Sequence, residues 1–188
     1  MRHFYIILNS IPKFSRKNVD CGDVSDDVAE LCSCIRAALF LSHDIRRDVK
    51  VHLVLLEEKR EVVIDGGSIR YLSPDERSIC MLLIKLSEKR ARKPWRGVYV
   101  NDLTSIRDVF SPDALIITPS KSGADLRQVK NLKEVAVIIP LTPSDNWIEH
   151  LNNARTLHVR TWGKLLPSHL ITILNNQMDL AEEQKCTP

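Results

Sequence analysis

The ten residues from Leu39 to Asp48 hold five ionisable side chains: His43, Asp44, Arg46, Arg47 and Asp48. They lie between two apolar segments suited to a core. Charge in such a place needs a partner, a ligand or water, because burying it unpaired is expensive. The carboxylates of Asp44 and Asp48 can accept a proton. The guanidinium groups of Arg46 and Arg47 can hold a phosphate, or a carbonyl on which negative charge develops. Structural roles compete with these. Asp44 can end a helix, Asp48 can pair with Arg46 or Arg47, and His43 can be a base or a helix-end residue.

Two further stretches carry charge. In Ser73-Pro74-Asp75-Glu76-Arg77, an N-cap at Ser73, proline at the first helical position and Glu76 closing a capping box explain all but Arg77. Farther on, Lys85, Lys89, Arg90, Arg92, Lys93 and Arg96 face a single acid, Glu88. A basic stripe of this kind suits a phosphate backbone, although cations also complement a helix C-terminus. Trp95, between Lys93 and Arg96, can stack on a base or pack against the domain.

The elements that must position these groups follow from periodicity. Arg2 to Leu8 predicts a buried strand and Asn9 to Gly22 a polar loop. Ser25 caps a helix with Asp26 and Asp27 in its first turn, and Val28, Leu31, Cys32, Ile35 and Leu39 recur at helical spacing. Val49 to Leu56 is a strand. Lys59 to Ile64 and Ser68 to Leu72 read as strands around a tight turn at Asp65-Gly66-Gly67. Ile79, Leu82, Leu83 and Leu86 mark a second helix, which Pro94 ends, and Gly97 to Val100 is extended. Ala114 to Thr118 and Val135 to Ile139 are continuous apolar runs, the mark of central parallel strands. A helix starts at Thr142-Pro143-Ser144-Asp145 and runs through Trp147, Ile148 and Leu151. Leu157 to Val159 is a strand. A last helix runs from about Pro167 to the Glu182 region, with an apolar face of Leu166, Leu170, Ile173, Leu174 and Met178. Strands alternating with helices indicate an α/β domain.

A chain of 188 residues with 44% hydrophobic residues predicts one domain with a sizeable core. The net charge of +3 does not by itself announce a nucleic-acid partner. Five cysteines, an odd number without metal-ligand spacing, predict reduced thiols in an intracellular protein and no metal site. No signal peptide and no membrane-length apolar run is expected. No GxSxG, HExxH or phosphate-binding glycine loop supports a hydrolase or metalloenzyme.

Taken together, Phe40-Leu41-Ser42-His43-Asp44-Ile45-Arg46-Arg47-Asp48, Ser73-Pro74-Asp75-Glu76-Arg77 and Gly97-Val98-Tyr99-Val100 resemble the archaeal tRNA pseudouridine-54 N1-methyltransferases of the SPOUT superfamily. The likeness covers most of the chain in order. His169 to Ile173, Asn176 to Asp179 and Cys186 are similar to the family's final helix and end. The resemblance implies a SPOUT-type fold with a mostly parallel sheet and a deep C-terminal trefoil knot, a rare exception to the rule against knots. It implies S-adenosylmethionine as cofactor, tRNA as substrate and a cytoplasmic homodimer. It also implies site residues. Asp44 or Asp48 would accept the N1 proton, and Arg46 or Arg47 would stabilise charge on the base. Arg46, Arg47, Arg77, Arg90 and Arg96 would hold RNA. Thr118, Pro140, Leu141, Thr161, Trp162, Gly163, Leu165 and Cys186 would line the cofactor.

The cofactor segments depart from the family pattern. Ile138-Ile139-Pro140-Leu141-Thr142-Pro143 has prolines where a glycine is expected, and proline neither donates nor lets a backbone come close. Thr161-Trp162-Gly163-Lys164-Leu165 replaces a Ser-Pro-Leu-Glu-Leu motif, and Thr118-Pro119-Ser120-Lys121-Ser122-Gly123 replaces a stretch with fewer prolines. Two alternatives follow: an RNA-binding relative without methyl transfer, and a methyltransferase acting on another RNA pseudouridine.

Overall fold

The computed structural model describes residues 1–88, 95–105, 109, 115–120, 122–125, 135–141, 156–160 and 165–186. Its centre is a seven-stranded sheet in the order β4-β3-β2-β1-β6-β5-β7. The strands are β1 (Arg2–Leu8), β2 (Val49–Leu55), β3 (Arg60–Asp65), β4 (Val98–Asp102), β5 (Leu115–Ser120), β6 (Val135–Pro140) and β7 (Thr156–Arg160). Strands β2, β1, β6, β5 and β7 are mutually parallel, and β3 and β4 add an antiparallel edge. Among the described residues four helices accompany them: α1 (Arg16–Cys21), α2 (Asp26–Leu39), α3 (Glu76–Ser87) and α4 (Pro167–Cys186). The expectation of an α/β fold with a mostly parallel sheet holds.

The parallel strands are apolar on both faces because both faces are covered. On β1, Phe4, Ile6 and Leu8 join the main core with Leu31, Ile35 and Leu39 of α2 and Ile171, Leu174 and Met178 of α4. Tyr5 and Ile7 face the other way, into a smaller cluster with Val54, Val109 and Ile116. Helix α2 is packed from two directions. Cys32 meets Cys80 of α3 across 3.5 Å between sulfurs, and Cys34 points at Glu30 on its own helix. Cys21, Cys32, Cys34 and Cys80 are free thiols, and burial raises Cys32, Cys34 and Cys80 above their ordinary range.

Three local expectations are corrected. Helix α3 is capped by Asp75, whose Oδ1 accepts from the Ser78 amide at 2.8 Å. A carboxylate there also complements the helix dipole, so the helix begins at Glu76, beyond Pro74. Ser68 to Leu72 is not a strand. The Ser68 and Ile69 amides turn back onto the Asp65 carbonyl, and the free edge of β3 is taken by β4. The Asn9 to Gly22 loop contains α1, closed by a capping box between Ser15 and Asn18 and by Gly22 in the left-handed region. That helix buries no side chain, so it leaves no apolar period to read. Ser25 holds the N-cap position of α2 without a side-chain cap bond. The expected helix through Trp147, Ile148 and Leu151 lies outside the described residues.

Candidate active site

The charged stretch closes into a small loop between α2 and β2. Phe40 bridges Ile45, the Leu41 amide donates to the Asp44 carbonyl at 2.8 Å, and the Arg46 amide donates to the Leu39 carbonyl at 2.7 Å. Gly66 seals its base. A Cβ at this position would collide with the carbonyl oxygens of Arg46 and Val49, so only glycine fits beneath the loop.

The structure sorts the four candidate catalytic residues into two pairs. Asp44 and Arg47 face outward. Asp44 is 67% exposed, Arg47 is 47% exposed, and Arg47 Nη2 lies 3.4 Å from Asp44 Oδ1. Arg47 Nη1 also donates to the Gly66 carbonyl at 3.1 Å, which steadies the guanidinium. Arg46 faces inward, while Asp48, itself 47% exposed, is turned toward the buried Arg2. Arg46 makes a two-pronged bond to Asp179 of α4, at 2.8 and 2.7 Å. Asp48 lies 3.2 Å from Arg2 Nε, an ion pair without hydrogen-bond alignment. Arg2, buried at the start of β1, also reaches Asp179 at 2.7 Å and Asn175 Oδ1 at 3.1 Å. Burial alone would raise the Asp179 carboxyl, but the hydrogen bonds from Arg46 and Arg2 outweigh it and hold the group below its ordinary range.

Sequence reasoning missed Arg2, Asn175 and Asp179 as parts of this network. A signal was present. Arg2 precedes Phe4, Ile6 and Leu8 at period two, and a cation on that row must find a buried partner. It missed equally a chain on the opposite sheet face. There Asn101 donates to Glu61 at 3.0 Å, Glu61 meets His52 Nδ1 at 2.7 Å, and His52 Nε2 meets His3 Nδ1 at 2.9 Å. Burial, helped by His52, lowers His3 from 6.5 to about 4.

The candidate RNA contacts separate in the same way. Arg77 is 55% exposed and pairs with Asp20 of α1. Arg96 is exposed beside β4, and Arg90 lies outside the described residues. Trp95 is engaged in packing. Its indole N–H donates to the Arg70 carbonyl at 2.7 Å, and the Lys85 ammonium sits 4.4 Å from its ring centre. His43 lies in the exposed part of the loop, and His169 is exposed on α4.

The candidate cofactor residues gather at the other end of the sheet. The charged loop feeds the amino end of β2, and Arg2 at the amino end of β1 bonds to it. Thr118, Pro140 and Leu141 lie at the carboxyl ends of β5 and β6. Thr118 Oγ1 is 2.8 Å from His158 Nδ1, and the Leu141 amide donates to the Ile7 carbonyl at 3.1 Å. Leu165 is half-buried just before α4. Thr161, Trp162 and Gly163 lie outside the described residues, and Cys186 is the last residue of α4. A seven-residue strand separates the two ends by about 20 Å. Leu165 and Cys186, at opposite ends of α4, stand roughly 30 Å apart.

Between α2 and α4 runs a groove of about 490 Å³, lined among others by Arg36, Arg46, His169, Thr172, Asn176 and Asp179. Beside it Leu166, just before α4, and Ile173 and Leu180 on the helix are exposed, each seven residues from the next. Among the described residues, no three His, Cys, Asp or Glu side chains are grouped to hold a metal ion, and no helix is long and apolar enough to cross a membrane.

Comparison with known proteins bears on this arrangement. The family described as "Putative SAM-dependent RNA methyltransferase" matches residues 1–183. The chain is 33% identical to the tRNA (pseudouridine(54)-N(1))-methyltransferase of Methanococcoides burtonii, over 95% of this chain and 96% of that one. It is 33% identical to the protein of the same name from Haloferax volcanii, over 90% of each. Among solved structures, Archaeoglobus fulgidus Nep1 bound to S-adenosylhomocysteine superposes with a TM-score of 0.63 at 12% identity, over 97% of this chain and 99% of that one. At that identity the likeness establishes a shared fold.

Proposed function

Because the chain belongs to the SAM-dependent RNA methyltransferase family, we propose that it methylates N1 of pseudouridine 54 in the T-loop of tRNA, as a single catalytic domain. The observation that carries this reading is the exposed Asp44–Arg47 pair, held on a closed loop while its neighbours Arg46 and Asp48 are tied to Asp179 and Arg2, partners distant in the chain.

The cofactor position fits in outline. Strand order reverses beside β1, where β2 lies on one side and β6 on the other. The crevice at the carboxyl ends of such strands is where α/β sheets bind ligands, and Leu141 is anchored there. S-adenosylmethionine supplies a methyl already activated by its sulfonium. The chain must then align N1 with that methyl, which in favourable cases contributes about 7–11 kcal/mol, and take the N1 proton. Asp44 is the acceptor, directly or through a water: its partners, the exposed Arg47 and the Ile45 amide, both lie on Oδ1 and leave Oδ2, whereas Asp48 is engaged by the buried Arg2. Arg47 is the group left to meet charge developing on the uracil carbonyls. Bound in that crevice, the sulfonium would supply the methyl to N1 and keep the electron pair of the broken carbon–sulfur bond, while Asp44 takes the N1 proton. The base leaves the T-loop stack to reach the site, with Arg77 and Arg96 along its path.

The two halves of this site lie at opposite ends of one chain, which favours a homodimer. The exposed Leu166, Ile173 and Leu180 form a seven-residue stripe of the kind that seats one helix on another. Pairing α4 antiparallel with its copy across a two-fold axis would bring the charged loop and Cys186 of one subunit toward Leu165 and Leu141 of the other. The C-terminal trefoil knot belongs to the same proposal. The strand order β6-β5-β7 is compatible with it. The free thiols fit a cytoplasmic location.

A second reading, RNA binding without methyl transfer, draws on the prolines. Pro140 has no N–H, and the amide of Leu141 is already used by Ile7. Calorimetry with S-adenosylmethionine and S-adenosylhomocysteine separates the two. Micromolar binding, about −8 kcal/mol, supports the enzyme, while tRNA binding with no cofactor binding supports the second reading. Nucleoside analysis of treated tRNA, with uridine-54 transcripts as control, then tests the position.

A further inference from the structure

Helix α4 joins the two ends of the proposed site. It starts beside the carboxyl ends of the strands, where the Ser168 amide donates to Glu30 Oε1 at 2.8 Å. Two turns on, Asn175 Nδ2 donates to the Ala37 carbonyl at 3.0 Å and reaches that of Ala38, so the helix is fastened to the end of α2. One turn later Asp179 takes both prongs of Arg46 and one of Arg2, and Arg2 faces Asp48. Two cations and two carboxylates from three separate parts of the chain therefore close into one neutral cluster. From Pro167 to Asp179 the helix covers about 18 Å, nearly the full height of the sheet.

The cluster's two guanidinium groups are buried while its carboxylates stand at the edge, Asp179 37% and Asp48 47% exposed, so the screening that weakens a surface ion pair reaches it from one side only. Arg2 is 5% exposed and Arg46 12% exposed, and Arg46 Nε is buried with no hydrogen-bond partner. Guanidinium groups buried to that degree hold the arrangement that keeps their charge paired, because leaving it unpaired is costly. The arrangement fixes the loop just after its turn, at Arg46, and again at Asp48. Asp44 and Arg47 lie on either side of the first of these anchors.

We propose that Asp179 is a positioning residue for methyl transfer. From α4 it holds Arg46 and Arg2, and so sets the height and orientation of the loop that presents Asp44 and Arg47 to the RNA. This rests on the methyltransferase reading. In this role Asp179 acts through Arg46 and Arg2. Its effect falls on how often the loop stands in the reactive geometry, where a displacement of an ångström can cost on the order of a hundredfold.

The test is the Asp179→Asn variant of the whole protein, with turnover counted per site that binds S-adenosylhomocysteine in calorimetry. Expected are cofactor affinity within about twofold of the parent, kcat per binding site lowered at least tenfold, and a modest change in KM for tRNA. Asp179→Glu, which keeps the charge, should recover part of the lost kcat. If kcat per binding site stays within twofold of the parent, the positioning role is overturned, and any drop in Tm alone means that Asp179 is a stability residue. Should Asp179→Asn fail to fold, Arg46→Lys keeps the cation and loses the two-pronged bond, and it must show the same fall in kcat. A parent protein that binds no cofactor and methylates nothing counts against the proposed function instead.

Discussion

At the scale of residues, the charged loop shows how environment separates side chains that are equivalent in sequence. Asp44 and Asp48 are both carboxylates beside an arginine, but only Asp44 is free of a buried partner. Asp44→Asn should therefore lower methyl transfer by about 10²–10⁴-fold while leaving Tm within a degree or two. Asp48→Asn should do the reverse in emphasis, lowering Tm because Arg2 loses a partner. Kinetics and thermal melts on the two variants check both.

Residue chemistry also predicts an acid response. His3 has a folded value of about 4 against an ordinary 6.5. Between those limits the unfolded chain binds more protons than the folded one, so stability is fully present above pH 6.5 and falls as pH drops toward 4. Lys50, the N-terminal ammonium and His52 push in the same direction, and Glu61 opposes them. Burial would raise Glu61, but hydrogen bonds from His52 and Asn101 lower it overall. Glu61 and Asp179, both depressed, therefore add a further loss at lower pH as their own folded values are crossed. Denaturant melts from pH 7.5 to 4 on the parent and on His3→Asn should show the upper part of the slope flattened in the variant.

At the scale of elements, the loop depends on a turn that is distant in sequence. Gly66 packs under Arg46 and Val49, and Gly97, at φ +81°, packs against Ile69. Gly66→Ala forces a methyl onto two carbonyl oxygens. We expect a cost of about 1–3 kcal/mol, seen as a Tm lower by about 3–10 °C, together with a loss of activity, because the displaced backbone is that of Arg46. Helix α4 carries a second prediction. Ile173 is 37% exposed on its stripe, so Ile173→Glu should leave the subunit folded and shift it from dimer to monomer in analytical ultracentrifugation. A sedimenting dimer at micromolar concentration would remove α4 from the interface.

At the scale of the whole molecule, the separation of the two half-sites makes a composite site testable. Asp44→Asn and Leu165→Arg subunits should each be inactive alone. Mixed after denaturation and refolding, they would, on the proposed dimer, give heterodimers in which one site takes Asp44 from one subunit and an intact Leu165 end from the other. Activity should return to about a quarter of the parent value for random two-fold pairing. A site built within one subunit would give none.

The sequence by itself determined the elements and their faces. Alternating and continuous apolar runs placed β1, β2, β5, β6 and β7, and helical spacing placed α2, α3 and α4, because burying those side chains leaves the backbone few choices. It also marked the loop from Leu39 to Asp48, since charge between two core segments is conspicuous. It did not show α1, which buries nothing, or the cap of α3, where neighbouring Ser73 and Asp75 compete for one helix start. Only the tertiary structure decided which of the loop's charges pair with each other at the surface and which with distant partners. Arg46 meets Asp179 and Asp48 meets Arg2, partners 133 and 46 positions away. Coulombic pairing is blind to sequence separation, so it is fixed only when the sheet and α4 close around it.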